Sequence, residues 1–178
     1  MSVRLSLLAL LDQGPCYGYQ LRTELDWRTG GTGPINVGQI YNTLDRLERD
    51  KLVQKTGENN YYEITDTGRR EVRAWFGSPS PASDLAAKLA LAATLPGVDV
   101  AAIIRVQRAA SAPPAVGGAV PATADQLAST LVAAASKLAI RMELELLDEA
   151  AHLLTLRIAP APLSSEVPKR GRPVKVAG

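Results

Sequence analysis

The sequence predicts a mainly α-helical protein with one small two-stranded β-sheet. Ala and Leu dominate a chain of 178 residues in which only 4% are aromatic, and this composition favours helices packed on helices. Apolar residues recur every three or four positions through most of the chain, as on one face of a helix. Between residues 52 and 65 the period changes to alternation with a central turn, which is typical of a β-hairpin.

The first 76 residues contain four predicted helices and the hairpin. Ser2 is the expected cap of a largely apolar first helix, which Gly14 and Pro15 end. A second helix runs from Tyr17 to about Trp27, and a glycine-rich turn follows it. The third helical pattern spans residues 34–53, the strands lie near 52–56 and 61–65, and a fourth helix closes at residue 76.

The pattern over residues 34–53 has two different faces. Its apolar stripe must face a core and consists of Val37, Ile40, Leu44 and Leu47. The opposite stripe carries side chains that can read base edges or hold phosphates, namely Gln39, Asn42, Thr43, Arg46 and Arg49. We interpret this segment as a DNA recognition helix with Asn36 as its N-cap. The alternative is a surface helix that is merely polar.

The order of helices, turn and hairpin is that of a winged helix-turn-helix domain. Candidates for contact with base edges are Asn36, Gln39, Asn42, Thr43 and Arg46. Arg49 and Lys51 are candidates for contact with the DNA backbone. Double-stranded operator DNA is therefore the expected partner.

Three blocks of sequence resemble the PadR family of winged-helix transcriptional regulators, in the same order and at similar spacing. They are YGYQL at 17–21, GQIY at 38–41 followed by LDRLERDKLV at 44–53, and YYEITDTGR at 61–69. The resemblance covers about the first 76 residues. It implies a homodimer on a palindromic operator, usually a repressor that a small molecule releases, and a phosphate contact through the Tyr41 hydroxyl.

The chain departs from the family pattern at two places. The tip of the hairpin is Glu58-Asn59-Asn60, where members commonly carry a run of Arg or Lys. Asn42 stands where members often have proline. The asparagine keeps the recognition helix regular and adds a side chain that can read a base.

The second half of the chain predicts a linker at 77–83 and a helical dimerisation domain at 84–159 with a loop near 111–122. Ser83 or Asp84, Asp99 and Thr123 are the expected helix caps. The last helix runs to about Ile158 and spans roughly 50 Å. Its heptad stripe, predicted to pair with a second copy, consists of Ile140, Leu144, Leu147, Ala151, Leu154 and Ile158. A second line suited to packing on the preceding helices consists of Leu127, Leu131 and Leu138.

Residues 160–178 form a Pro-rich basic tail that is predicted to be disordered. Lys169, Arg170 and Arg172 surround a short Arg-Gly-Arg-Pro core of the kind that lies in the narrow minor groove of A·T-rich DNA. A basic solubilising terminus explains the same residues.

Other functional classes receive little support from the sequence. The bulky aromatics available for a small apolar effector are Tyr17, Tyr19, Trp27, Trp75 and Phe76, and packing in the core explains them equally. His152 has no neighbouring metal ligand, so neither a metal nor another cofactor nor an enzymatic activity is expected. A single cysteine, Cys16, and the lack of a signal or membrane segment favour a cytoplasmic, nucleoid-associated protein.

The sequence as a whole predicts a homodimeric transcriptional regulator, most simply a repressor. Its net charge of +2 does not by itself indicate nucleic-acid binding, because the positions of the charges decide phosphate affinity. The alternative is a winged-helix dimer that serves as a protein-interaction module without specific DNA binding.

Overall fold

A computed structural model describes residues 2–31, 36–57, 61–111 and 122–164 of the chain. Within these ranges the elements are α1 (Val3–Leu11), α2 (Gly18–Arg28), α3 (Val37–Arg49), β1 (Val53–Thr56), β2 (Tyr61–Ile64), α4 (Asp66–Phe76), α5 (Ala82–Thr94), α6 (Val100–Ala110) and α7 (Ala124–Leu154). This order confirms the predicted mainly α fold with a two-stranded wing.

Helix α1 lies at the centre of the N-terminal domain and packs against α2, α3 and α4. The Ser2 hydroxyl caps α1 by accepting the Leu5 N–H, as predicted. Four leucines are almost fully buried because α1 is surrounded on all sides; they are Leu7, Leu8, Leu10 and Leu11. Two ion pairs, Arg4 with Glu71 and Arg69 with Asp12, join α1 to α4.

The wing is an antiparallel hairpin in which Val53 lies opposite Ile64. The thiol-bearing residue Cys16 forms an isolated bridge with Tyr62, so the segment before α2 extends the hairpin by one pair. The side chain of Cys16 is fully buried, and burial raises its pKa to about 12. Cys16 is therefore a buried packing residue whose thiol stays protonated.

The caps of the C-terminal helices agree only in part with the prediction. Asp99 accepts the Ala102 N–H at 2.9 Å and begins α6 as expected. Thr123 likewise accepts the Gln126 N–H and begins α7. Helix α5 instead begins at Ala82 after Pro81, whose fixed backbone angle initiates the helix without a capping side chain. The prediction that Ser83 or Asp84 caps α5 is therefore wrong.

The two apolar lines of α7 are not covered in the way predicted. Leu147 of the heptad stripe is fully buried in a second core, and Leu144 and Leu154 pack partly buried against it. That core comprises Leu85, Leu89, Ala92, Val100, Ile103, Ile104 and Leu147. The line predicted to pack on the preceding helices is exposed instead: Leu127 by 50%, Leu131 by 62% and Leu138 by 57%. Helical periodicity locates both faces, but the direction in which α5 and α6 fold back decides which one they cover.

Helix α7 ends earlier than predicted, with Thr155 as its C-cap. Ala151 and Ile158 of the heptad stripe are exposed, and Ile158 lies beyond the end of the helix. The chain then returns to the N-terminal domain, where Leu163 packs against the hydrophobic core of that domain. Residues 165–178, including Lys169, Arg170 and Arg172, lie outside the described residues. Among the described helices, none is both long and apolar enough to span a membrane.

Candidate nucleic-acid interface

Helix α3 is held by one stripe of side chains and leaves the opposite stripe free. Asn36 caps it by accepting the Gly38 N–H at 2.8 Å. Ile40, Leu44 and Leu47 are fully buried in the N-terminal core. Val37 was predicted to join them but is 39% exposed, because it is the first residue of the helix and lies one turn before Ile40 reaches the core. The buried stripe fixes the rotation of α3 about its axis.

The predicted reading side chains all lie on the outer side of α3. Gln39, Asn42, Arg46 and Arg49 are exposed and Thr43 is half-buried. At 100° per residue the four candidate base contacts within the helix, Gln39, Asn42, Thr43 and Arg46, fall within about one quadrant of the helix surface. The Thr43 hydroxyl donates to the Gln39 carbonyl at 2.7 Å, which leaves its lone pairs to accept from a ligand.

The charged candidates differ in how freely their side chains can reach a phosphate. Arg46 has no acidic partner within the described part of the chain. Arg49 lies 3.9 Å from the Asp50 carboxylate, a long and exposed pair that holds the guanidinium weakly. Lys51 is exposed just after the helix with a backbone φ of 59°, a left-handed conformation that turns the chain into the wing. These three residues supply the positive charge of the outer face.

Tyr41 connects the recognition helix to the helix before it. Its ring covers Gly18, where a Cβ atom would approach the ring carbon Cε1 to 2.7 Å. Any larger residue at this position would require the Tyr41 ring to shift. The side chain remains 40% exposed, so packing and a phosphate contact through the hydroxyl are compatible at this position.

The wing contributes less positive charge than its sequence alone suggests. Lys55 donates to the Glu48 carboxylate at 2.7 Å, and this hydrogen bond raises the Lys55 pKa. Its ammonium also lies 5.4 Å from the centre of the Tyr62 ring. The lysine is thus held against α3, and the hairpin tip at 58–60 lies outside the described residues.

The aromatic residues predicted for an effector site do not come together. Tyr17 packs on Tyr61 with ring centres 3.9 Å apart, whereas Trp75 stacks on Phe76. Tyr19 and Trp27 are nearly half exposed on α2, and Arg28 lies over the Trp27 ring at 4.5 Å. These aromatics therefore do not form one shared site. Of the five, only Phe76 lines the cavity described next.

A cavity of about 380 Å³ lies between the winged domain and the C-terminal helices. It is lined by Ala9, Asp12, Gln13, Val72, Arg73, Phe76, Gly77, Leu95, Gly97, Val98, Asp99, Ala102, Ile103 and Val106. Most of these residues are small or aliphatic and come from α1, α4, the α5–α6 turn and α6. A search of the sequence for aromatic residues misses such a site, because separate elements with no shared motif build it.

Residues 7–74 match the model of the transcriptional regulator PadR-like family. The winged-helix part of the chain is therefore similar to a family of transcriptional regulators. No curated protein matches the chain in sequence.

Solved structures also match the chain, at low sequence identity and with low TM-scores. The virulence activator AphA of Vibrio cholerae is 18% identical, with 88% of this chain and all of AphA covered at a TM-score of 0.40. PadR of Bacillus subtilis in complex with operator DNA is 15% identical, with 83% and 97% covered at a TM-score of 0.38. The same protein in complex with p-coumaric acid gives 16% identity, 86% and 98% coverage and a TM-score of 0.40.

Proposed function

We propose that the protein binds a palindromic DNA operator as a homodimer and acts as a transcriptional repressor. The observation that carries this proposal is the outer face of α3. Its buried stripe and Asn36 cap fix the helix, while Gln39, Asn42 and Arg46 stay exposed and side by side. Gln and Asn pair with adenine and Arg pairs with guanine in the major groove, so one rigid face can read adjacent base pairs.

The exposed apolar face of α7 supports a homodimer. It runs the length of the helix and consists of Leu127, Leu131, Leu138, Met142, Leu146 and Leu153. A helix of 31 residues with such a face is unfavourable in water unless another surface covers it. An antiparallel pair with its two-fold axis at Met142 would place Leu138 opposite Leu146 of the partner subunit. The same register would place Leu131 opposite Leu153 of the partner subunit.

The cavity between the two halves of the chain is the site we propose for a small apolar effector. Val72 and Phe76 of α4 line one side, and Ile103 and Val106 of α6 line the other. A ligand that fills the cavity would favour one orientation of the winged domain relative to α6. The distance between two recognition helices in a dimer depends on that orientation, so binding of the ligand would change operator affinity.

The basic tail is a secondary candidate for DNA contact. Lys169, Arg170 and Arg172 have no acidic residue near them in sequence after Pro168. Insertion of these arginines into a narrow minor groove would add affinity beside the major-groove contacts of α3. The role of the tail is separable from that of α3, because its loss should reduce the salt dependence of binding without changing the preferred base sequence.

The decisive experiment selects an operator from randomised DNA with the full chain and then measures affinity by gel shift. The double variant Gln39→Ala with Arg46→Ala should bind the selected operator at least about 30-fold more weakly, since each bidentate base contact is worth about 1 kcal/mol or more. Arg105→Ala on α6 is the control, because it removes an exposed arginine remote from α3. Unchanged affinity of the folded double variant would contradict the assignment of α3.

The alternative is a protein-interaction module, which the charge distribution of the winged domain favours. Arg4, Arg28, Lys55 and Arg69 are all ion-paired within that domain. Acidic residues Asp45, Glu48 and Asp50 lie on α3 itself. If selection enriches no DNA sequence and binding shows no salt dependence, this alternative replaces the repressor.

A further inference from the structure

The segment after α7 is fastened to the second helix of the winged domain. We call residues 161–164 the strap. The Arg28 guanidinium donates to the Ala161 and Pro162 carbonyls at 2.9 and 3.2 Å. The Ser164 N–H donates to the Glu24 carboxylate at 2.8 Å, and the Gln20 amide donates to the Ser164 carbonyl at 2.5 Å. Each end of the strap therefore has its own hydrogen bonds to α2.

Glu24 and Arg28 form a buried ion pair beneath the strap. Their side chains are 3% and 0% exposed, and Arg28 Nε lies 2.9 Å from Glu24 Oε2. The same carboxylate oxygen accepts the Trp27 indole N–H at 3.1 Å. The remaining guanidinium nitrogen that faces α5 donates to the Thr94 carbonyl at 2.7 Å. Because a buried pair costs much of its attraction in desolvation, its main effect here is the fixed geometry of these bonds.

The guanidinium group of Arg28 consequently joins three parts of the chain. They are α2 of the winged domain, the end of α5, and the strap that follows α7. The Ala161 N–H adds a direct bond from the strap to the Thr94 carbonyl at 3.1 Å. A rotation of the winged domain against the C-terminal helices would break several bonds together, since one rigid planar guanidinium donates to Thr94, Ala161 and Pro162.

The position of α2 is passed on to the recognition helix by tight packing. Leu21 and Leu25 of α2 are fully buried in the core that also holds α3. Gly18 lies directly under the Tyr41 ring. A group that fixes α2 relative to the C-terminal helices therefore fixes the outer face of α3 as well.

We infer that the strap and the Glu24–Arg28 pair are a positioning element that sets the distance between the two recognition helices of the dimer. This inference rests on the proposed function as an operator-binding homodimer. None of the strap residues, nor Glu24 or Arg28, needs to touch DNA. Their effect is on the half-site spacing that the dimer accepts, because the strap holds each winged domain at one angle to the helices that would form the dimer.

The test measures spacing preference with the full-length chain. The operator selected by the wild-type protein is prepared with its half-sites at the selected spacing and with one base pair added or removed at the centre. Two variants are compared with wild type. Arg28→Lys loses the planar guanidinium group. The double variant Leu163→Ala with Ser164→Pro loosens the strap and leaves the buried Glu24–Arg28 pair intact. Arg105→Lys, on the exposed side of α6, is the matched control.

Both variants should lose at least about fivefold of the ratio between affinity at the selected spacing and at the altered spacings, the lower end of typical coupling between sites. A purely structural role would weaken binding to all three operators by one factor and leave the ratio unchanged. Arg28→Lys alone could unfold the domain, so the strap variant decides the outcome if it retains the wild-type circular dichroism spectrum.

The two proposals fail in different ways. A wild-type protein that selects no operator contradicts the proposed function, and the inference about the strap falls with it. The strap inference alone is contradicted if the wild-type protein shows a spacing preference and the folded strap variant retains it. A control variant that changes the ratio as much as the strap variant also contradicts it.

Discussion

Lys88 buries a positive charge between the end of α4 and the linker. Its side chain is 1% exposed, and its ammonium donates to the Trp75 carbonyl at 2.7 Å and to the Ser78 carbonyl at 2.6 Å. Burial lowers the pKa of Lys88 to about 8. Carbonyls at the C-terminal end of a helix carry partial negative charge, so they are favourable acceptors for the buried ammonium.

The lowered pKa predicts a pH dependence of stability. Between pH 8 and about 10.5 the unfolded chain binds more protons at Lys88 than the folded chain does, so the contribution of Lys88 to stability rises with pH in this window. The measurement is urea unfolding of wild type and Lys88→Met from pH 7 to pH 10. The free energy of unfolding of wild type minus that of the variant should increase as pH rises above 8. A free-energy difference that stays constant with pH would contradict the lowered pKa of Lys88.

The close packing around Gly68 predicts that an alanine at this helical position destabilises the protein. A Cβ atom at this position in α4 would lie 2.4 Å from the Leu52 carbonyl oxygen and 2.6 Å from Ile64 Cγ1. Gly68→Ala should therefore destabilise the protein by about 1–3 kcal/mol through overpacking, although alanine normally favours a helix. Gly38→Ala in α3 is the control, because its Cβ would meet only the Asn36 side chain at 3.2 Å. Equal thermal stability of the two variants would show that the wing shifts freely.

At the scale of the element, α7 is the helix whose surroundings matter most. One face covers the second core through Leu147, and the opposite face exposes Leu138, Met142 and Leu146. Most of the first half of α7 lies in contact with solvent on all sides. An isolated helix gains little stability from its own hydrogen bonds, so this half needs a partner surface.

The exposed face predicts which substitutions separate the two subunits of the proposed dimer. Leu138→Glu with Leu146→Glu should weaken self-association at least about a thousandfold, since each buried leucine is worth about 1.5–3 kcal/mol and the two-fold axis counts each one twice. Thr130→Glu, on an exposed polar side of the same helix, is the matched control. Sedimentation equilibrium measures the result. A double variant that stays dimeric would place the interface elsewhere.

At the scale of the whole molecule, a single winged domain is a weak electrostatic match for DNA. Arg46, Arg49 and Lys51 provide the cations of the outer face, and the described lysine of the wing is held by Glu48. Tight binding therefore depends on presenting two such faces at a fixed distance, because the second contact becomes effectively intramolecular. This requirement links the exposed face of α7, the strap and the recognition helix in one function.

The sequence determined the local structure and the reading face of this protein. Capping residues, apolar periodicity and the alternation of the hairpin act over a few positions, so Ser2, Asn36 and Asp99 mark their helices correctly. The polar stripe of α3 was predictable for the same reason. The blocks that resemble PadR proteins lie within residues 7–74, which match the model of the PadR-like family.

Only the tertiary structure decided which surfaces meet. It placed the heptad stripe of α7 against α5 and α6, left Leu127, Leu131 and Leu138 exposed, and closed the strap over Glu24 and Arg28. It also formed a cavity from small residues of four segments. These features depend on contacts between residues far apart in the chain. Periodicity shows that a face is apolar, whereas the path of the whole backbone determines what covers that face.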